Sequence, residues 1–199
     1  MLADPPWRFK DQGTRATPQY EGTQRPASHY RTMALEDICS LPVRDIVAPD
    51  AWLFLWCPTS LRSCRYSLKL DDRNPTLGFW AAQHGRGYDL AVAESWGFAP
   101  TGAEVVWIKG RIVDDDLRLH IGMGHYTRNA HETCTIYKRG NPKRVAGIPS
   151  VILAPRGKHS SKPIELYPMI ERFSAGPRLE LFARTIRDGW TSWGDEVPV

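Results

Sequence analysis

Apolar residues fall in short runs separated by polar and Gly- or Pro-rich stretches, and no single periodicity spans the chain. The runs at Trp52–Cys57, Glu104–Ile108, Thr133–Tyr137, Ser150–Leu153 and Arg178–Ala183 predict strands, and Met1–Ala3 predicts the stub of another. Several are continuously apolar instead of alternating, as strands covered on both faces are. Helices are expected around Ser60–Leu70, around Tyr88–Trp96, and after Ser161, where Ile164, Tyr167, Ile170 and Phe173 recur every third residue. Pro168 lies inside that last segment, and its ring would meet the carbonyl four residues back, so the helix is expected to start late or kink there. Strands interleaved with helices predict an α/β sheet protein.

Three stretches read as loops. Lys10–Arg31 is rich in Gly, Thr, Pro, Gln and Ser; Asp71–Arg86 mixes turn residues with aromatics and reads as an insertion; Gly110–Asn129 holds an acidic triplet, Asp114–Asp116, and a Gly-Met-Gly turn.

Length and composition narrow the class. The 199 residues, 42% hydrophobic and 24% charged, suit one self-folding domain over 1–199 and disfavour disorder or a coiled coil. The longest apolar run, Ala51–Cys57, is far below the roughly 18–20 residues of a membrane span. The start of the chain has no signal-like pattern, and the four cysteines, 39, 57, 64 and 134, form no C-x-x-C pair. A cytoplasmic protein without membrane contact or metal is the expectation.

Charge adds a candidate partner. Residues 1–100 carry 11 Lys/Arg and 11 Asp/Glu, whereas 101–199 carry 15 and 11, so the net charge of +4 belongs to the second half. Between Arg128 and Lys162 eight basic residues face one acid, Glu132. Such a window is either a solvated face or a phosphate-binding surface. Eight tryptophans are mostly core candidates, with some placed to stack on bases.

The tetrapeptide Asp4-Pro5-Pro6-Trp7 follows the first strand stub. An exocyclic amine on a base is a poor nucleophile; Asp4 and the Pro5 carbonyl can accept its two N–H bonds and orient it. Two prolines fix the backbone so that carbonyls face a pocket, and Trp7 offers a stacking face. The alternative is an ordinary turn.

Other segments extend the pattern: His29-Tyr30-Arg31-Thr32-Met33, Leu41-Pro42-Val43, Leu53-Phe54-Leu55-Trp56, Trp96-Gly97-Phe98, Val106-Trp107-Ile108-Lys109, Gly124-His125-Tyr126, His131-Glu132, His159-Ser160-Ser161-Lys162-Pro163, Glu180-Leu181-Phe182-Ala183-Arg184 and Trp193-Gly194-Asp195-Glu196. Together they resemble the MT-A70 family of S-adenosylmethionine-dependent adenine N6-methyltransferases, over nearly the whole chain apart from Asp71–Arg86.

That resemblance implies a Rossmann-like methyltransferase fold, a largely parallel sheet flanked by helices. It implies Asp4, Pro5, Pro6 and Trp7 as the catalytic motif. For the cofactor S-adenosylmethionine it implies Lys162 at the carboxylate end, and Arg184, Asp195 and Glu196 at ribose and adenine. Asp195 stands where family members commonly have Asn, and an acid cannot donate. Substrate contacts are expected from Tyr30, His125 and Tyr126, with phosphate contacts from the basic window at Lys143, Arg144 and Lys158. The expected partner is nucleic acid, DNA ahead of RNA, with a homo-oligomer or a partner subunit also in view. A non-catalytic, nucleic-acid-binding member is the competing reading. Family members also carry a segment before the catalytic motif, so weak cofactor binding by these 199 residues is expected.

Overall fold

The computed structural model describes residues 1–8, 31–62, 87–122, 127–157 and 161–197. The expected Asp71–Arg86 insertion lies outside them, as does the Lys10–Arg31 loop apart from Arg31.

The strands are β1 (Leu2–Ala3), β2 (Ala51–Cys57), β3 (Ala99–Val113), β4 (Asp116–Leu119), β5 (His131–Arg139), β6 (Val151–Ala154), β7 (Leu179–Leu181) and β8 (Thr191–Trp193). Among the described residues they form one mixed sheet in the order β4-β3-β5-β2-β1-β7-β8, with β6 paired to β3. β1 runs parallel to β2 and β7, β7 to β8, and β3 to β6. β5 is antiparallel to both β2 and β3, so those two share a direction. All strands except β4 and β5 therefore point one way, and their carboxyl ends line one edge. Such an edge is where open α/β sheets bind ligands.

Burial of β2 on both faces holds the layers together. Leu53, Leu55 and Cys57 pack toward α1 (Leu35–Cys39) and α4 (Tyr88–Ser95), against Ile38, Val92 and Trp96. Phe54 and Trp56 pack the other way, with Trp107 and with Leu166, Ile170 and Phe173 of α5 (Leu166–Phe173). Each large apolar side chain so buried contributes about 1.5–3 kcal/mol. Two short helices, α2 (Val43–Ile46) and α3 (Thr59–Arg62), flank β2 in the chain. The carboxyl end of α4 is closed by Gly97 at φ +85, with the Phe98 N–H donating to the Ala93 carbonyl at 2.8 Å. Arg44 adds bonds to the Ser95 and Glu94 carbonyls at 2.7 and 3.0 Å.

The predicted strands are all present, β3 and β5 extending well beyond their apolar cores. The helix after Ser161 starts late, at Leu166, with Pro168 in its first turn, where a missing N–H costs little. Its buried stripe is Leu166, Ile170 and Phe173, whereas Ile164 lies ahead of the helix and is 63% exposed. Gly110–Asn129 is not the single loop expected. Gly110–Val113 pairs with β4 in a hairpin turned at Asp114 and Asp115, which have φ of 51 and 62. Asp tolerates this left-handed region, so the acidic pair makes a two-residue hairpin turn.

The tryptophans are chiefly structural. Trp7, Trp96 and Trp107 donate their indole N–H to the carbonyls of Trp56, Ile38 and Ala154 at 3.0, 2.9 and 2.9 Å, each joining two segments across the core. Among the described tryptophans only Trp193 is exposed, at 51%.

Candidate active site

β1 is buried between β2 and β7, with Ala3 opposite Leu55 and Leu181. The next residue, Asp4, emerges at the carboxyl edge. Its backbone course is fixed immediately afterwards: the Trp7 N–H donates to the Pro5 carbonyl at 2.8 Å, and the Met33 N–H to the Pro6 carbonyl at 2.8 Å. One acceptor position of Pro5 is thus already occupied, leaving its second lone pair for a substrate. Trp7 departs from expectation. Its ring is 4% exposed and packs against Tyr88 at 6.5 Å, so it anchors the motif in the core and presents no open stacking face.

Around Asp4 runs an alternating line of charge. The Lys162 Nζ lies 2.7 Å from Asp4 Oδ2 and 3.4 Å from Glu132 Oε2, and the Lys109 Nζ lies 2.5 Å from Glu132 Oε1. Arg184 Nη2 stands 4.0 Å from Asp4 Oδ2, and its Nε is 3.8 Å from Glu196 Oε1. Lys162 and Lys109 also sit over the Trp56 and Trp107 rings, at 5.6 and 5.2 Å.

Burial dominates the titration of Asp4 and raises its carboxyl above the ordinary carboxylate range; Lys162 opposes this, Glu132 reinforces it, and Arg184 opposes it. Burial also works against the charges of Glu132 and Lys162, but there the partners prevail. Lys162 and Lys109 hold Glu132 below its usual value, and Asp4 and Glu132 hold the Lys162 ammonium above its own. At neutral pH, Lys162 is charged and Glu132 is ionised, while burial brings Asp4 nearer to protonation than an exposed carboxylate.

Beside Asp4 is a cavity of about 280 Å³. It offers cations at Lys162 and Arg184, carboxylates at Asp4 and Glu180, and apolar wall at Leu2, Leu166 and Phe182. Trp56 also lines it, and the buried Trp56 indole N–H has no hydrogen-bond partner among the described residues. Cations, acceptors, an unpaired donor and apolar surface in one cleft fit a ligand that carries an amino-acid end and a sugar, as S-adenosylmethionine does. Phe182 takes a left-handed φ of 62 just after β7, with its ring edge-on to Trp193 at 5.9 Å. That conformation costs of order 1–3 kcal/mol in a non-glycine residue and is sustained by its surroundings. Gly194 closes on the same turn: a Cβ there would lie 2.2 Å from the Ala183 carbonyl oxygen.

The structure brings together Asp4, Lys162 and Arg184, with Glu196 reached through Arg184. Asp195 follows β8 at the same edge, exposed and outside the cavity wall. Tyr30, His125, Tyr126 and Lys158 lie outside the described residues. Lys143 and Arg144 are exposed at the other end of the sheet: the Trp52 indole donates to the Lys143 carbonyl at 3.3 Å, and Trp52 is four residues before Trp56 on β2. Four strand residues span about 13 Å, so the basic window is split between two ends of the molecule.

Glu132, Lys109, Glu180 and Trp56 are site residues that sequence reasoning misses. All four stand in segments that carry the family resemblance, and Glu132 is also the one acid in the basic window, but neither signal assigns them to the site. Lys109 and Glu132 become neighbours through the register of β3 on β5, which pairs Trp107 with Glu132 and Ile108 with His131.

Comparison with known proteins identifies the family. The profile of the family described as MT-A70 matches residues 68–196. The Type II methyltransferase M.MunI of Mycoplasma sp is 29% identical over 212 residues, covering 100% of this chain and 77% of that protein. The probable N(6)-adenosine-methyltransferase MT-A70-like of Oryza sativa subsp. japonica is 33% identical over 203 residues, 99% of this chain but 22% of that protein. The N(6)-adenosine-methyltransferase subunit METTL3 of Danio rerio is 26% identical over 202 residues, 99% of this chain and 27% of that protein. The chain thus spans most of the Mycoplasma relative and about a quarter of the longer two. The family match over residues 68–196 and the Rossmann-like sheet together show that this chain is a member of the MT-A70 family.

Proposed function

We propose that this chain methylates the N6 amine of adenine in DNA, with S-adenosylmethionine as methyl donor. The observation that carries the reading is Asp4 at the end of β1, held by Lys162 at 2.7 Å on the wall of the cavity. S-adenosylmethionine, when bound, supplies an electrophilic methyl group on a sulfonium. Lys162 and Arg184 suit its carboxylate, and Glu180 its hydroxyl or ammonium groups.

Asp4 acts on the other reactant. Oδ2 faces Lys162 and Arg184, while Oδ1, with no hydrogen bond among the described residues, is the oxygen left to accept an amine N–H. A second N–H of that amine meets the remaining lone pair of the Pro5 carbonyl. Fixed in this way, the nitrogen lone pair is aimed along one line, and the gain is chiefly one of orientation. As the nitrogen–carbon bond forms, the methyl–sulfur bond would break with its electron pair left on a neutral thioether, and the amine gives up one proton. Asp4, which burial has brought nearer to protonation, is positioned to accept it before passing it to water.

DNA is favoured over RNA because the relative matched along most of its own length is the one named as a type II methyltransferase, whereas the N(6)-adenosine-methyltransferases are several times longer than this chain. RNA is the second reading, supported by those adenosine-directed names. The assay is transfer of a labelled methyl group to DNA and RNA oligonucleotides. Transfer to DNA that fails with Asp4→Asn supports the proposal; transfer to RNA alone assigns the second reading; binding without transfer identifies a non-catalytic member.

A further inference from the structure

We propose that Lys109 and Glu132 are positioning residues for methyl transfer, clamping the Lys162 ammonium on one oxygen of Asp4 so that the other stays aimed at the amine. The inference rests on the function proposed above and deepens it.

The four side chains come from four separated segments: Asp4 after β1, Lys109 on β3, Glu132 on β5, and Lys162 ahead of α5. They form one chain of contacts, 2.5 Å from Lys109 to Glu132, 3.4 Å from Glu132 to Lys162 and 2.7 Å from Lys162 to Asp4. An ammonium on a four-carbon stem is normally free to choose among positions. Here Lys162 is 16% exposed, lies between two carboxylates and has the Trp56 ring beneath it. Lys109, equally covered, stands over Trp107, and the two indoles meet edge-on at 6.3 Å. Both cations are thus fixed by aromatic and carboxylate contacts together. Burying four charges is a poor way to stabilise a fold, since apolar groups of like size do as well or better. Placing them against the catalytic carboxylate has a purpose in geometry: a misplacement of about 1 Å at a reacting group costs on the order of 100-fold in rate.

Charge sets the expected pH signature. The groups facing Asp4 are Lys162, Glu132, Arg184 and Glu180, with the thiols of Cys57 and Cys134 pushed up by burial and therefore neutral. Glu132 raises the Asp4 carboxyl, so removing its charge lets Asp4 ionise at lower pH.

The test compares native protein with Glu132→Gln, Lys109→Met, Lys109→Arg and Asp4→Asn. Expected are a fall in kcat of about 10- to 100-fold for Glu132→Gln and Lys109→Met, substantial recovery with Lys109→Arg, and an acid limb of the kcat profile moved to lower pH in Glu132→Gln. Cofactor Kd, read by calorimetry, rises by much less than kcat falls, because Lys162 keeps its charge toward the cofactor carboxylate while the reacting geometry loosens. Native kcat and an unmoved acid limb in Glu132→Gln, with Asp4→Asn inactive, overturn this inference alone. Equal losses in Lys109→Met and Lys109→Arg with the acid limb unmoved also overturn it, since they mark a purely structural role. Native protein that transfers no methyl group overturns it together with the proposed function.

Discussion

Asp4 and Glu132 share a cation but are held in opposite directions. Burial keeps the Asp4 carboxyl above its ordinary range, so its ionised form weighs against the fold as pH rises through that value. Asp4→Asn is therefore expected to be at least as stable as native at pH 7 while losing methyl transfer by about 100-fold or more; denaturation midpoints and labelled-methyl incorporation check the two halves. Glu132 is held below its ordinary value, and its stabilising charge is present above that range and lost on acidification. Glu132→Gln is expected to be less stable than native at pH 7, with the difference shrinking in melts taken below about pH 4.5. Asp4 is legible in the sequence because its neighbours are distinctive: two prolines and a tryptophan after an apolar stub. The role of Trp7 is not, since an indole suits a base or a core equally well, and only the bond to the Trp56 carbonyl decides between them.

At the scale of elements, continuity of apolar residues locates every strand that is buried on both faces. Expectation and structure part where short or polar elements depend on partners. β8 is three residues long with both ends exposed, and β4 is exposed throughout, so neither has a hydrophobic signature. β8 nevertheless shapes the site by placing Gly194 on the turn after β7. Gly194→Ala forces a Cβ to within 2.2 Å of the Ala183 carbonyl oxygen, which requires backbone movement. It is expected to destabilise by about 1–3 kcal/mol and to weaken cofactor binding by shifting Phe182 and Arg184. Gly147→Ala, with nothing within 4 Å of its added Cβ, is the control expected to leave both unchanged. Thermal melts and cofactor titration distinguish the two variants.

Across the whole molecule, strand direction sorts function. Asp4, Glu132, Lys162, Arg184 and Glu196 gather at one edge because the strands preceding Asp4, Arg184 and Glu196 end there, while β5 runs the other way and has Glu132 as its second residue there. The same directions carry Lys143 and Arg144 to the far end, a separation that a linear charge count does not show. Arg111 and Arg118, opposite one another on the β3–β4 hairpin, and Arg156 after β6 lie on the side of the carboxyl edge. Replacing these three by Ala is expected to flatten the salt dependence of DNA binding by roughly 0.9 in log–log slope for each phosphate no longer neutralised. Replacing Lys143 and Arg144 is expected to leave the slope unchanged, and titrations at several salt concentrations separate the outcomes.

The most direct measurement is mass-spectrometric identification of the methylated nucleoside after incubating native and Asp4→Asn protein with S-adenosylmethionine and DNA. N6-methyladenine formed by the native chain and absent with Asp4→Asn is the predicted result. Methylation at another base atom, or equal N6-methyladenine from both proteins, would contradict the assignment of Asp4 as the residue that presents the adenine amine.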